Sequence, residues 1–286
     1  MDESTISFVT ADGIALHVYR WAPPDEPRAV VQLQHGLAEH AGRYRRLAEA
    51  LTAAGYAVYA PDARGSGRSA QGDYGNWGPD NWPGWVDDVG RLAALVRERE
   101  PGRKLALVGH SMGSFATQQF LLDHSDAVDA VVLSGSTDTA GLVDLLSADE
   151  PADLSAFNAG FEQRTGFEWL SRDAAEVDAY VADPACGWQG QVFTGMEGLR
   201  TASDPGAVAR VRPDLPILVI SGDRDPVAGP DAAGPRAVAE RYRAAGVRDV
   251  ELILYPEARH ELFNETNRDE VTEDVLEFLS RTVGHP

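Results

Sequence analysis

Ser111, an aspartate at 223 or 225, and His260 have the types and the chain order of a nucleophile, an acid and a base. A serine hydroxyl is a poor nucleophile until a base stands within hydrogen-bond reach. His260 offers an imidazole that titrates near neutrality. An aspartate fixes the tautomer of such an imidazole and stabilises the imidazolium that forms when it takes the serine proton. Attack on a carbonyl then creates an oxyanion, which wants two backbone N–H donors already in place. Serine, acid, histidine is one of the chain orders in which this chemistry recurs.

The surroundings of Ser111 fit that reading. The apolar run Leu105-Ala106-Leu107-Val108 precedes Gly109-His110-Ser111-Met112-Gly113, and a helical pattern follows. Strand, G-x-S-x-G, helix is the setting of a nucleophile elbow, a sharp turn that leaves the serine hydroxyl clear at the end of a sheet. The glycines at 109 and 113 supply room as the strand doubles back into the helix. The amide of Met112, at the helix N-terminus, is one oxyanion donor. The amide of Leu37, just past the strand Val30–Gln34 and His35-Gly36, is the other. Asp223 reads equally as a turn former, and Asp225 precedes Pro226, which favours an extended backbone; the residues alone leave both open.

The other histidines read as structural. His35 and His110 flank the site as hydrogen-bonding residues. His40 and His124 fall on predicted helices, His17 in a hairpin, and His285 in a tail expected to fray. No His/Asp/Glu/Cys grouping has the spacing of a metal site, and neither metal nor cofactor is expected. Arg64-Gly65-Ser66-Gly67 follows a strand, but no G-x-G-x-x-G is completed and no Walker lysine follows.

These residues need a scaffold that delivers them to one edge. Residues 6–9 and 14–21 alternate around Asp12-Gly13 as a hairpin. Strands are then predicted at Val30–Gln34, Tyr56–Ala60, 105–108, Val128–Leu133, Ile217–Ile220 and Val250–Leu254. Helical patterns fall between them: Tyr44, Leu47, Ala48 and Leu51; then Trp85, Val89, Leu92, Ala93 and Val96; later 238–245 and a last one with Val271, Val275, Phe278 and Leu279. Pro61 to Pro83 reads as a long loop. Alternating strands and helices predict an α/β fold, a mostly parallel sheet with helices on both faces. Function in such a sheet sits at the carboxyl ends of the strands.

The alternation lapses over residues 136–205, which read as a helical cap inserted between two core parts, 1–135 and 206–286. This insertion holds 13 Asp/Glu against 3 Arg, a net of −10. Over the whole chain of 286 residues, 45 acidic against 25 basic residues give a formal net charge of −20. That charge opposes nucleic acid and anionic membranes as partners. No run of eighteen apolar residues is present, so no stable membrane insertion is expected. The acidic start lacks a signal-peptide pattern, and the single cysteine, Cys186, forms no intrachain disulfide; the cytoplasm is the expected location. Cys186 reads as a small packed residue.

Taken with these motifs, the chain resembles the α/β-hydrolases of the monoglyceride lipase and lysophospholipase-like group, which includes enzymes labelled serine aminopeptidases. The resemblance covers nearly the whole chain. It rests on 35–44 (HGLAEHAGRY), 62–69 (DARGSGRS), Gly109 to Gly113, 222–225 (GDRD) and 260–265 (HELFNE). It implies Ser111 as nucleophile, Asp225 as the acid, His260 as the base, and Leu37 and Met112 as oxyanion donors. It also implies that 176–180 with Asp183-Pro184 belongs to a cap. There Tyr180 is read either as a packed or hydrogen-bonded residue or as a substrate contact. Glu39 and Arg43 are read either as a structural pair or as a grip on a polar head group. The chain departs from the group at Ser66, where histidine is usual, and at Ser114, where glycine is usual.

The implied activity is hydrolysis of a small carboxylic ester through an acyl-enzyme on Ser111, with an aminopeptidase-like hydrolase or a silent ligand-binding fold as alternatives. Phe157, Phe161, Phe167, Trp169, Leu170, Trp188, Val192 and Phe193 are expected to turn inward and line an apolar acyl tunnel, with Phe193 touching substrate and the cap carboxylates facing solvent.

Overall fold

Leu105 and Leu107 turn to one face of a sheet, Ala106 and Val108 to the other, and all four are buried. A strand apolar on both sides needs cover on both sides. In the computed structural model, which describes residues 1–146 and 153–284, that cover is helical. Residues 147–152 of the insertion and the tail position His285 lie outside the described residues.

Among the described residues the strands are β1 (Asp2–Val9), β2 (Ala15–Ala22), β3 (Ala29–Gln34), β4 (Tyr56–Pro61), β5 (Leu105–His110), β6 (Ala130–Ser134), β7 (Ile217–Gly222) and β8 (Val250–Tyr255). They form one sheet in the order β1-β2-β4-β3-β5-β6-β7-β8. β1–β2 and β2–β4 pair antiparallel, and every other pair is parallel. The α-helices are α1 (Arg45–Ala53), α2 (Asn81–Arg99), α3 (Met112–His124), α4 (Thr139–Leu146), α5 (Ala174–Ala182), α6 (Glu197–Arg200), α7 (Pro205–Val208), α8 (Ala233–Ala244) and α9 (Arg268–Thr282). α2, α3 and α8 cover one face through Trp85, Leu92, Phe115, Leu121 and Val238. α1 and α9 cover the other through Leu47, Leu51, Val275 and Phe278.

Two local expectations shift. The β1–β2 connection is a loop over 10–14, closed by Thr10 N–H to Ile14 O at 2.9 Å; only Gly13 of the Asp12-Gly13 pair takes a positive φ, 87°. α2 begins two residues before Pro83, which sits in its first turn, where a missing N–H leaves no intrahelical bond unmade.

The insertion divides in two by packing. Phe193, Met196, Leu199 and Ala202 belong to the main core beside α2 and α3, together with Ala207 and Val208 just after the insertion. Leu154, Phe157, Phe161, Phe167, Trp169, Leu170, Tyr180 and Cys186 form a separate small cluster. Its carboxylates do not all face water: Glu168 is buried, and its oxygens accept from Asn158 Nδ2, from the Thr165 hydroxyl and amide, and from Gly166 N–H.

Candidate active site

Parallel pairing carries the ends of β3, β5, β7 and β8 to one edge, and the sequence-predicted residues arrive there together. Ser111 follows β5 with φ 49° and ψ −121°, a conformation that side-chain-bearing residues rarely take. It persists because the elbow closes tightly. A Cβ on Gly109 would lie 2.7 Å from Gly113 O, and one on Gly113 would lie 2.5 Å from Gln34 O. The glycine requirement read from the sequence is therefore a contact requirement, strand against helix and helix against the loop after β3. Beneath the elbow the Ser114 hydroxyl stands 2.6 Å from Ser111 O and 2.9 Å from Ser136 Oγ.

The two candidate acids separate cleanly. Asp225 is buried, and its Oδ2 lies 2.8 Å from His260 Nδ1; its Oδ1 accepts from Val227 N–H at 2.9 Å. Asp223 is exposed and accepts from Glu257 N–H at 2.7 Å, which ties the β7 loop to the β8 loop. Burial opposes charge on His260, but the Asp225 carboxylate and its hydrogen bond outweigh it, so the imidazole pKa is raised. With Nδ1–H held by Asp225, Nε2 is left as the basic nitrogen.

Ser111, His260, Leu37 and Gly36 line one cavity with Glu39, His110, Leu154, Trp169, Leu170, Tyr180 and Glu261. Among the described residues the amides of Leu37 and Met112 donate no hydrogen bond, while Gly36 N–H is already taken by Glu39 Oε1 at 2.6 Å. Leu37 and Met112 thus keep donors without a partner among the described residues.

His35 and His110 are structural, as expected. His35 Nδ1 meets Gly36 O at 2.7 Å and its Nε2 accepts from Ala63 N–H at 2.9 Å; burial lowers its pKa. His110 packs on His260 with ring centroids 4.8 Å apart, and burial, with the neighbouring His260, pushes its pKa well down.

Glu39 and Arg43 form a structural pair within a larger network. Glu39 Oε2 accepts from Arg43 at 2.8 Å, and Oε1 also accepts from the Tyr44 hydroxyl at 2.7 Å. Arg43 forks onto both oxygens of Glu261, the residue after His260. Burial works against charge on Glu39, yet the Arg43 guanidinium and the hydrogen bonds hold its carboxyl below the usual range. The i,i+4 pair was readable in the sequence; Glu261, 218 positions from Arg43, carried no signal that joined it to them.

Two cap expectations are corrected. Phe193 does not touch the site: it stacks on Trp77 at 4.6 Å between centroids and packs edge-on to Trp82, inside the main core. Among the described residues no acyl tunnel opens beside Ser111 either. The cavity there is about 20 Å³, room for about one water. Trp169 and Leu170 line it, and the Tyr180 hydroxyl donates to Ala38 O at 2.9 Å. Of the other aromatics expected there, Phe157 packs on Trp169, Phe161 lies under Arg259, Phe167 packs on Tyr180, and Trp188 packs on Tyr74 and Trp77. A different grouping was invisible to local spacing: His40, Asp183 and Cys186 bring a ring nitrogen, a carboxylate oxygen and the sulfur within 4.8 Å of one another.

The chain is similar to known proteins over nearly its full length. It is 33% identical over 280 residues to the monoacylglycerol lipase of Mycolicibacterium smegmatis, covering 96% of this chain and 95% of that one. It is 30% identical to the monoglyceride lipase of Mus musculus, covering 97% and 89%. A thermostable carboxyl esterase from Bacillus coagulans, solved with glycerol, superposes with a TM-score of 0.87 at 26% identity over 99% of each chain. No helix among the described residues is long and apolar enough to cross a membrane. The sequence pattern of the serine aminopeptidase S33 family matches residues 25–267, and with the mostly parallel sheet and the elbow at its edge this chain belongs to that family of α/β-hydrolases.

Proposed function

We propose that the protein is a serine hydrolase of carboxylic esters, with small uncharged monoesters such as monoacylglycerols as its substrate class, and that Ser111, His260 and Asp225 carry the reaction. The observation that supports this most is one cavity lined by a serine on a strained elbow, by His260, whose Nδ1 is held by Asp225, and by Leu37 with its free amide. His260 Nε2 takes the Ser111 proton as Oγ attacks the ester carbonyl. The oxyanion is held by the amides of Leu37 and Met112. The imidazolium, stabilised by Asp225, returns the proton to the departing alcohol. Water, deprotonated by the same nitrogen, then releases the acid and restores Ser111. Nothing in this sequence of steps draws on a metal or cofactor.

The substrate class rests on the relatives and on charge. Monoacylglycerol and monoglyceride lipases are the names of the two similar proteins above. A net charge of −20 disfavours docking on anionic lipid surfaces, which favours dispersed monoesters over phospholipid in bilayers. A cavity of about 20 Å³ admits no ester, so Leu154, Trp169 and Leu170 must swing away before substrate enters. We place the insertion 136–205 as a cap over a core of 1–135 and 206–286, with the overhanging part between Leu154 and Trp188. The single cysteine accords with a cytoplasmic location.

The test is a hydrolysis screen of monoacylglycerols and p-nitrophenyl esters of graded chain length, alongside matched aminoacyl amides, lysophospholipids and anionic vesicles, each with Ser111→Ala as control. Turnover of uncharged monoesters, lost in the variant, is the expected result. Faster cleavage of aminoacyl amides would move the assignment to a peptidase, and faster cleavage of phospholipid in anionic vesicles at low salt would overturn the substrate class.

A further inference from the structure

His40 closes the turn after the oxyanion loop, and Asp183 and Cys186 lie where the chain leaves α5. These segments are 143 positions apart, yet His40 Nε2 lies 3.0 Å from Asp183 Oδ2, and the sulfur of Cys186 completes a set of atoms within 4.8 Å of one another. We propose that His40, Asp183 and Cys186 form a binding site for a thiophilic divalent cation, best matched by zinc, and that the ion staples the cap to the oxyanion loop.

The local structure arranges the three groups before any ion arrives. Asp183 Oδ1 accepts from Ala185 N–H at 2.8 Å, which leaves Oδ2 turned to His40. Cys186 N–H donates to Asp183 O at 3.0 Å, so carboxylate and thiol emerge from one tight turn. His40 is held as the cap of the turn Ala41–Tyr44, its Nδ1 accepting from Gly42 N–H at 3.2 Å. Ligand atoms around tetrahedral zinc, with bonds of about 2.0–2.3 Å, are separated by roughly 3.3–3.8 Å. The observed spread therefore needs only small side-chain rotations. Arg43, the nearby cation, is neutralised by Glu39 and Glu261.

The donor set decides the ion. One thiolate, one imidazole and one carboxylate suit zinc and its congeners, whereas magnesium and calcium want oxygens throughout. A cleft of about 430 Å³ lined by Tyr19, His40, Asp62, Arg68, Asp183 and Ala185 opens on the site. It supplies a path for the ion and for water as the fourth ligand. The protons balance as follows. The Cys186 thiol loses its proton to solvent. The imidazole keeps one proton but shifts it from Nε2 to Nδ1, giving up the long contact from Gly42 N–H. Sulfur, Nε2 and Oδ2 each then place a lone pair on the ion.

The position gives the site a consequence. The cap already reaches the oxyanion loop through Tyr180 Oη and Gly187 N–H, which both donate to Ala38 O at 2.9 Å. An ion bridging His40 to Asp183 and Cys186 adds a third link on the same side. Cap opening is then opposed, and ester turnover falls. That last consequence rests on the function proposed above; binding itself does not.

The full chain is titrated with zinc alone by calorimetry and thermal unfolding, and with cadmium by ultraviolet absorption, in wild type, Cys186→Ser and Asp183→Asn. The expected results are one ion per chain, a raised Tm, and a thiolate-to-cadmium charge-transfer band. Loss of a direct ligand should weaken binding by about 100-fold or more, since even outer-shell losses cost about 10–100-fold. Cys186→Ser should retain turnover without zinc and resist inhibition with it. Absence of the charge-transfer band in wild type, or equal zinc affinity in wild type and Cys186→Ser, would overturn the site whether or not the chain hydrolyses esters.

Discussion

The indole of Trp169 lies over the imidazole of His260, with centroids 4.9 Å apart and planes inclined by 38°, and Trp169 O accepts the His260 amide N–H at 3.3 Å. One residue of the proposed cap thus packs on the proposed base with its side chain and holds its backbone. Leu170 O continues the seam by accepting from Glu261 N–H at 2.8 Å. The segment Trp169-Leu170 and the segment His260-Glu261 are therefore tied together by backbone and ring contacts.

Trp169→Ala should expose His260 to water and relieve the burial that lowers its pKa. The acid limb of kcat/KM against pH should then move to higher pH, and turnover should fall as the cap loses a buried ring. Trp169→Phe should keep most of both. A limb that stays in place in Trp169→Ala would show that the indole does not desolvate the base.

Ser111 is expected to be the nucleophile. Ser111→Ala should lower kcat by about 10⁴-fold or more in a folded protein. Ser111→Gly should be equally inactive yet more stable by about 1 kcal/mol, because glycine accepts the positive φ that serine is forced into. Urea unfolding of the two variants checks this. Equal stability would mean the elbow stores no strain at 111.

Asp225→Asn should cost about 10³–10⁴-fold in kcat by releasing the wrong tautomer of His260. Asp223→Asn should leave catalysis near wild type and lower stability slightly, since among the described residues the Asp223 carboxylate accepts only from Glu257 N–H. A reversed ranking in steady-state assays would transfer the acid's role to Asp223.

Activity requires neutral His260, and its pKa is raised above the ordinary imidazole value of about 6.5. The loss of kcat/KM on acidification should therefore begin above that value rather than below it. The same shift has the opposite sign for stability. The raised pKa adds stability at pH below the unfolded value, and this is lost as pH rises through the folded one. Opposed trends in kcat/KM and in denaturant midpoint across this range are the expected pair. A flat activity profile down to pH 4 would exclude a histidine base.

Much of the scaffold was legible because its signals are local. The both-faced apolar run 105–108, the glycines at 109 and 113, and the Glu39–Arg43 spacing each state a requirement within a few residues. What was not legible depends on which surface a side chain meets. Phe193 reads as one more cap aromatic; only the assembled fold shows Trp77, Trp82 and Trp85 converging on it from α2 and the loop before it. Glu168 reads as solubilising charge, yet Asn158, Thr165 and Gly166 organise around it. The convergence of His40 with Asp183 and Cys186, and of Arg43 with Glu261, spans half of the chain or more, and no periodicity records such contacts.

Tyr180 decides between two readings of the cap. Ala38 sits at φ 54° and is fully buried, a strained position held by what grips its carbonyl. Two donors grip it, the Tyr180 hydroxyl and Gly187 N–H, each at 2.9 Å. Ala38 follows Leu37, whose amide is the proposed oxyanion donor, so a slack Ala38 misplaces that amide by a small amount. Removing one neutral hydrogen bond costs about 1 kcal/mol. Tyr180→Phe should therefore lower kcat roughly 5-fold while KM stays near wild type, since the loss is felt at the oxyanion and not in substrate binding. The ring, with Arg43 over its face at 4.8 Å, remains in place, so the fold should survive. Steady-state kinetics on a short ester separates the alternatives. A raised KM with kcat unchanged would make Tyr180 a substrate contact instead of a latch on the oxyanion loop.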